Sequence, residues 1–289
     1  MYPAPSIIAF TTLSGLGFGL LFWLGVDGTP PTGWVALVFF ALGLGLAGAG
    51  LLASAAHLGR PERALKAFTQ WRSSWLSREA WAAAAAMTLM GVYGAALVLW
   101  QVDLRLLGWL GALACGGAVF TTAMIYTQLR TVPRWHHWST PALFLLLALT
   151  GGALLSGRVS VAIPLLMLSG LVQGLVWWDG DRRFARSGTT MATATGLTGG
   201  DIRAFEPPHT GDNYLLREMV YVVGRKHAAK LRVIAITLMS ALPTALLLLP
   251  FGHVWAALAV LSHIAGVATA RWLFFAQAEH VVGLYYGKR

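Results

Sequence analysis

Long apolar runs alternate with short polar connectors along this chain. Eight runs, roughly 5–26, 34–57, 79–100, 107–129, 140–156, 159–178, 230–250 and 252–284, are free or nearly free of charge. A helix rises about 1.5 Å per residue, so about 20 apolar residues cross a hydrocarbon core of about 30 Å. The runs are continuous and lack the period-two alternation of a membrane β-barrel. The pattern predicts an all-α integral membrane protein: a bundle of eight transmembrane helices forming a single domain over residues 1–289. Runs five and six are parted only by Gly157 and Arg158. Short connectors of this kind fit an up-and-down bundle.

Composition agrees. Charged residues make up 11% of the 289 and hydrophobic ones 57%, where soluble domains carry about 25% charged residues. The net charge of +10 invites a nucleic-acid reading, but the cations gather at the ends of the apolar runs, where topology signals belong. The connectors after runs one, three, five and seven hold two arginines, Arg105 and Arg158. The remaining connectors and the termini hold 18, and Arg271 lies inside run eight. The positive-inside rule then predicts both termini and all long loops in the cytoplasm, and an even number of spans. The sequence predicts no cleavable signal peptide, since MYPAPS lacks a basic n-region.

Residues 179–229 are too long for a passive connector. Their mixture of aromatic, proline and charged residues predicts an ordered docking segment. Asp212 or Asn213 is placed to cap a short helix in LLREMVYVV. The plainer alternative is a solvated loop lying along the membrane.

The protein has one cysteine, Cys115, and no CxxCH, phosphate loop or iron–sulfur cysteine set, so most redox machinery must reside on other polypeptides or on a lipid-soluble substrate. Ionisable residues at membrane depth are costly and serve as functional candidates. His57, Arg60, Glu79, Tyr126, Arg271 and His280 fall at one predicted depth, on the side to which the charge bias assigns the cytoplasm. They supply what a quinone head group needs: donors to carbonyl oxygens, an imidazole that titrates near neutrality, a carboxylate and a guanidinium. No metal site is expected. Plainer alternatives stand beside each. Arg60, Arg63, Lys66 and Arg72 suit topology charges or lipid-phosphate contacts. Tyr126, Trp71, Trp75, Trp135 and Trp138 suit an interface belt, and His136 and His137 a loop surface. A structural ion pair with Glu79 would explain Arg271. Haem b needs two facing helix-borne histidines; His57, His227 and His280 match in depth, and this reading is disfavoured against quinone.

ASAAHLGRPERALKAF followed by SREAW, and MIYTQLRTVPRWHHWSTP later, resemble the membrane anchor subunit of the dimethyl sulfoxide reductase family (DmsC type). The shared patterns are His57-Leu58-Gly59-Arg60-Pro61 and the stretch from Tyr126 to Trp135. The resemblance implies a three-subunit oxidoreductase of the bacterial inner membrane. A molybdenum subunit with bound molybdopterin would pass electrons through a ferredoxin-like iron–sulfur subunit to this quinone-binding anchor. It implies a quinone role for His57 alone among the candidates. The best-known members carry their soluble subunits on the outside, whereas the charge bias here points inward. The loop FEPPHTGDNYLLREMVYVVGRKHAAKLR and the ending RWLFFAQAEHVVGLYYG resemble the anchor of the cytoplasmic sulfite-oxidising branch (SoeC type), which implies sulfite oxidation coupled to quinone reduction. The alternatives are electron flow from quinol to a terminal acceptor, a structural tether, or a transporter; polar groups in broken helices at mid-membrane would mark the last.

Overall fold

The computed structural model describes every residue except 207–210, 212, 222–224, 251 and 288–289, and, at Pro61, the side chain. Ten α-helices occur among them, with no strand. They are α1 (Pro5–Gly25), α2 (Gly33–Ala56), α3 (Trp75–Ala95, extended to Trp100 by a π-turn), α4 (Arg105–Thr127), α5 (Ser139–Leu155), α6 (Val159–Arg186), α7 (Met191–Thr195), α8 (Ala228–Ile236), α9 (Leu242–Leu247) and α10 (His253–Ala276). A π-turn at Thr237–Ala241 joins α8 to α9, so the pair runs as one rod from Ala228 to Leu247. Seven helices are long and apolar enough to cross a membrane. The eighth apolar helix, α5, has 17 residues, about 25 Å at helical rise.

Three of the predicted segments end elsewhere. Helix α6 continues to Arg186, so residues 179–186 are helix and the following connector is shorter than the sequence suggests. Asp179 holds Arg183 at 2.7 Å and Arg186 at 2.6 Å, while Asp181 holds Arg134 and Arg232. These pairs let a helix end rich in charge remain regular and tie it to the α4–α5 turn and to α8. Helix α10 ends at Ala276, so Gln277, Glu279 and His280 lie past it rather than in its last turns. Helix α3 begins one turn earlier than the apolar pattern suggests, at Trp75.

Helix α1 is the hub. It packs on α2, α4 and α5, and its first half on α10. The contacts are close because glycines line them. A Cβ on Gly17 would overlap the backbone of Gly43 and Ala47 in α2. One on Gly19 would overlap the Ala148 carbonyl in α5, and one on Gly25 the Gly108 carbonyl in α4. With lipid as solvent, helices gain little from hiding apolar surface from each other. Close backbone approach and dispersion take over that role. The α1–α4 half buries Phe18, Leu21, Phe40, Met90 and Tyr93, and the α5/α6/α8/α10 half buries Leu143, Trp177, Met239 and Leu273. Helix α5 contributes to both.

At the end opposite the long loops, both arginines are paired. Arg158 binds Asp27, tying the α5–α6 turn to the α1–α2 loop, and Arg105 binds Asp103 at 2.7 Å and the Gly28 carbonyl at 2.7 Å.

Replacing Gly19 or Gly152 by leucine inserts a side chain into backbone on the facing helix and should cost at least about 3 kcal/mol. Gly15 faces open space, so Gly15→Ala should be neutral or stabilising by up to about 1 kcal/mol. Thermal unfolding of the detergent-solubilised protein checks the contrast.

Candidate functional site

Helices that alternate in direction bring distant residues to one end of the bundle. His57 caps the end of α2, and its Nδ1 lies 3.0 Å from the Ser6 hydroxyl at the start of α1. The imidazole is otherwise exposed. Beyond it the backbone makes a 3-10 turn, Pro61–Phe68, and returns into α3. That return is fixed by Ser77, whose hydroxyl donates to the Ala67 carbonyl, and by Arg78, which donates to the carbonyls of Trp71 and Arg72.

Glu79, one turn inside α3, is 4% exposed and makes no ion pair among the described residues. Its Oε1 lies 2.6 Å from Thr122 Oγ1 on α4, and the same hydroxyl lies 2.9 Å from the Ala118 carbonyl. This arrangement serves both states of the acid. A carboxylate accepts the threonine hydrogen. A carboxylic acid donates to the threonine oxygen, which then turns its own hydrogen to Ala118. Either way no buried donor is orphaned, which would cost about 1–3 kcal/mol.

Tyr126 lies one helical turn beyond Thr122 on α4 and is buried rather than belted at an interface. Its ring is flanked by Trp135, Phe144, Phe274 and Phe275, with centroids 5.3–5.9 Å away. Trp135 is likewise interior at 2% exposed, stacked on Phe274 and donating to its carbonyl at 2.9 Å. Trp71 and Trp138 remain exposed, as a belt requires. Glu79 and Arg271 both lie within electrostatic reach of Tyr126.

Arg271 does not pair with Glu79. Its guanidinium is 3% exposed, lies 3.5 Å over the Phe144 ring, and makes no ion pair or hydrogen bond with a described residue. It faces a cleft of about 30 Å³ between α5, α6 and α10, shared with Thr140, Gln173 and Gln277. The ion-pair explanation for this arginine therefore falls: the two charges are held by different halves of the bundle.

His280 follows α10. The Val282 amide donates to its Nδ1 at 3.0 Å, and the neighbouring Val281 amide donates to the Thr131 carbonyl. Burial pushes the imidazole below its usual range, with the protein's amino terminus adding to the effect. Arg60 is exposed on the rim of a separate groove of about 350 Å³ with Arg63 and Lys66. His136 holds the Thr127 carbonyl at 2.7 Å and His137 the Ser139 hydroxyl at 3.0 Å, so both brace the α4–α5 turn. Asn213 caps the turn at Leu215–Met219, accepting from the Leu216 amide at 2.9 Å; Asp212, the other predicted cap, lies outside the described residues.

The six predicted residues thus share one end of the bundle but line no common cleft among those described. Glu79, Tyr126 and Arg271 are all interior. His57 and Arg60 are at the surface, and His280 is in the C-terminal turn. The sequence pattern gave no prominence to Thr122 or Gln173. Thr122 stands four residues before Tyr126, the spacing that shares a helix face. Gln173 is a lone amide inside an apolar run, the kind of residue that merits notice at membrane depth.

The family of the DMSO reductase anchor subunit (DmsC) matches residues 5–277 of the protein. The C subunit of the sulfite dehydrogenase from Allochromatium vinosum is 33% identical, over 99% of this sequence and 99% of its own. The anaerobic dimethyl sulfoxide reductase of Haemophilus influenzae supplies a second relative. Its C polypeptide is 32% identical over 54% of this sequence and 58% of its own. No solved structure matches.

The hydrogen bond from Val282 needs His280 unprotonated at Nδ1, and its lowered pKa states the same preference. The neutral form contributes stability that is full above the unfolded value of about 6.5 and is lost as pH falls below it. Amide exchange in residues 281–286, corrected for intrinsic rates, should quicken between pH 7.5 and 5.5. His280→Asn keeps an acceptor and should abolish that dependence. A second outcome concerns Arg271. With no ion pair to lose, Arg271→Met should leave the thermal midpoint unchanged or raise it.

Proposed function

Since the protein belongs to the family of DMSO reductase anchor subunits, and so is a multi-pass membrane anchor, we propose that it is the quinone-reactive anchor of a three-subunit molybdenum oxidoreductase. It exchanges electrons between a cytoplasmic iron–sulfur subunit and the membrane quinone pool. Similarity along 99% of both sequences to a sulfite dehydrogenase subunit supports sulfite oxidation coupled to quinone reduction. Molybdopterin and iron–sulfur clusters belong to the partners, and the anchor's part is to bind and orient quinone and to supply protons. The family's quinol-to-acceptor direction is the second reading, favoured by the similarity to a dimethyl sulfoxide reductase polypeptide.

The observation that carries the proposal is the Glu79–Thr122–Ala118 arrangement, an acid held without a counter-charge in a site that accommodates it protonated or ionised. Reducing a quinone takes two electrons and two protons, so the electron donor alone is insufficient. His57, exposed beside Ser6, offers a ring nitrogen to a quinone oxygen. Glu79 gives a proton and recovers it without rearranging its neighbours. Tyr126 and Arg271 are further interior polar groups. Arg60 lies on the approach, and His280 is one turn of backbone beyond α10.

The charge bias supports placing both termini inside with an even number of spans, and the apolar runs support eight crossings, counting α5. That bias gains from the pairing of Arg105 and Arg158 with aspartates. The partner docks on the same end. Loop residues up to 229 contribute to this surface. So does the basic stretch 60–72, where Arg60, Arg63, Lys66 and Arg72 make no ion pair among the described residues. By contrast, Arg183, Arg186, Arg225 and Arg232 are engaged with Asp179, Asp181 and Glu279.

In the purified complex, His57→Ala should abolish quinone-linked turnover while dye-linked activity of the soluble subunits persists. Thr122→Val should lower quinone-linked turnover by about 10²-fold, the scale of a lost proton-transfer group, and Thr122→Ser should restore it. Full quinone-linked activity in His57→Ala at normal assembly would overturn the assignment.

A further inference from the structure

The most spacious cleft described is neither beside Arg271 nor beside Arg60. It is a groove of about 520 Å³ between the first two turns of α1 and residues 264–272 of α10. That volume is in the range of small-molecule sites, roughly 300–1,000 Å³. Its walls include Tyr2, Ile8, Ala9, Leu13, Ala268 and Trp272, and no charged residue among those described lines it. Tyr2 closes one end, edge-on to Tyr221 with centroids 5.5 Å apart.

The groove and His57 both border the first turns of α1. Ser6 holds His57. Successive helical residues turn by about 100°, so Leu13 lies only about 20° around α1 from Ser6, and Ala9 about 60°. Both line the groove. The Ser6 face itself packs on α2, where Gly17 meets Gly43 and Ala47. Pro5, Thr12 and Ile8 lie about 100–160° around from Ser6, so the groove opens about a quarter turn around α1 from His57, with Leu13 and Ala9 at the shared border. Alanine at positions 9 and 268 leaves room on both sides, where Ile8, Ile264 and Trp272 would otherwise close the gap.

We propose that this groove holds the polyisoprenoid tail of the quinone whose head group meets His57. The inference rests on the quinone reading above and adds where the tail lies and why tail length counts. Its described walls are uncharged and mostly apolar, which suits a hydrocarbon tail rather than an anionic head group. The head then stays at the polar end of the bundle while the tail runs along α1 toward the membrane interior.

Ala9→Trp and Ala268→Trp fill the groove without touching His57, Glu79 or Thr122. In the intact complex, each should raise KM for a long-tailed quinone by about tenfold with kcat little changed, the pattern of lost uniform binding. Turnover of an analogue with one isoprene unit should stay within about twofold of wild type, as expected where the reacting head keeps its contacts. Equal effects on both quinones, or on neither, would overturn the tail assignment. If a variant fails to assemble, a long-tailed quinone bearing a diazirine on its second isoprene unit tests the wild-type complex directly. Labelling should fall in residues 2–13 and 264–272 and be displaced by unlabelled long-tailed quinone. Labelling elsewhere, or labelling displaced only by phospholipid, would assign the groove to an ordinary acyl chain and overturn the proposal. The electron-exchange reading fails separately, by a wild-type complex that reduces or oxidises neither quinone, and the labelling pattern still decides the groove.

Discussion

Close backbone contact along α1 is the constraint on which the rest of the molecule depends. In lipid, two apolar helices are attracted by contact rather than by exclusion of water, so they must approach closely to adhere. Gly17, Gly19 and Gly25 place three different helices against one rod. With α1 fixed against α2, α4 and α5, its first turns are fixed as well. That sets Ser6 under His57 and leaves the flank about a quarter turn away as a groove against α10. The position of the surface imidazole is thus a consequence of glycine packing deeper in the bundle.

The same packing divides the polar groups. Glu79 and Thr122 belong to the α3–α4 pair, whereas Arg271, Gln173 and Gln277 belong to the α5/α6/α10 side. Tyr126 stands at the seam, its ring held by aromatics from the α4–α5 turn, α5 and α10. A buried acid and a buried cation that met would neutralise each other and hold a fixed ion pair. Kept apart, each retains capacity for a ligand or a proton, at a cost in stability that close packing elsewhere offsets. Such separation is what the proposed supply of protons to a quinone requires.

The basic residues show how one composition serves two ends. At the α6 end, Asp179 and Asp181 engage arginines from three segments, so much of that charge is structural. Along 60–72 the cations face outward without acidic partners among the described residues. A count of Lys and Arg treats these regions alike; only the placement of the aspartates distinguishes them.

The sequence by itself determined the helical class, the location of all eight apolar helices, and which residues gather at one end. Those follow from hydropathy and alternation of direction, which are local or nearly so. The long helix α6 was underestimated because its last turns are charged, and regularity there comes from salt bridges to other segments. The pattern could not reveal that Tyr126 and Trp135 are interior, since an aromatic near a helix end suits a belt equally well until neighbouring helices cover it. Nor could it show that Arg271 and Glu79 do not meet. Residues at one depth can face any direction around the bundle, and rotation about each helix axis is set by the glycine contacts and aromatic packing of the folded protein. Position along the bundle was legible in the sequence; azimuth was decided by tertiary structure, because it depends on which side chains the neighbouring helices present.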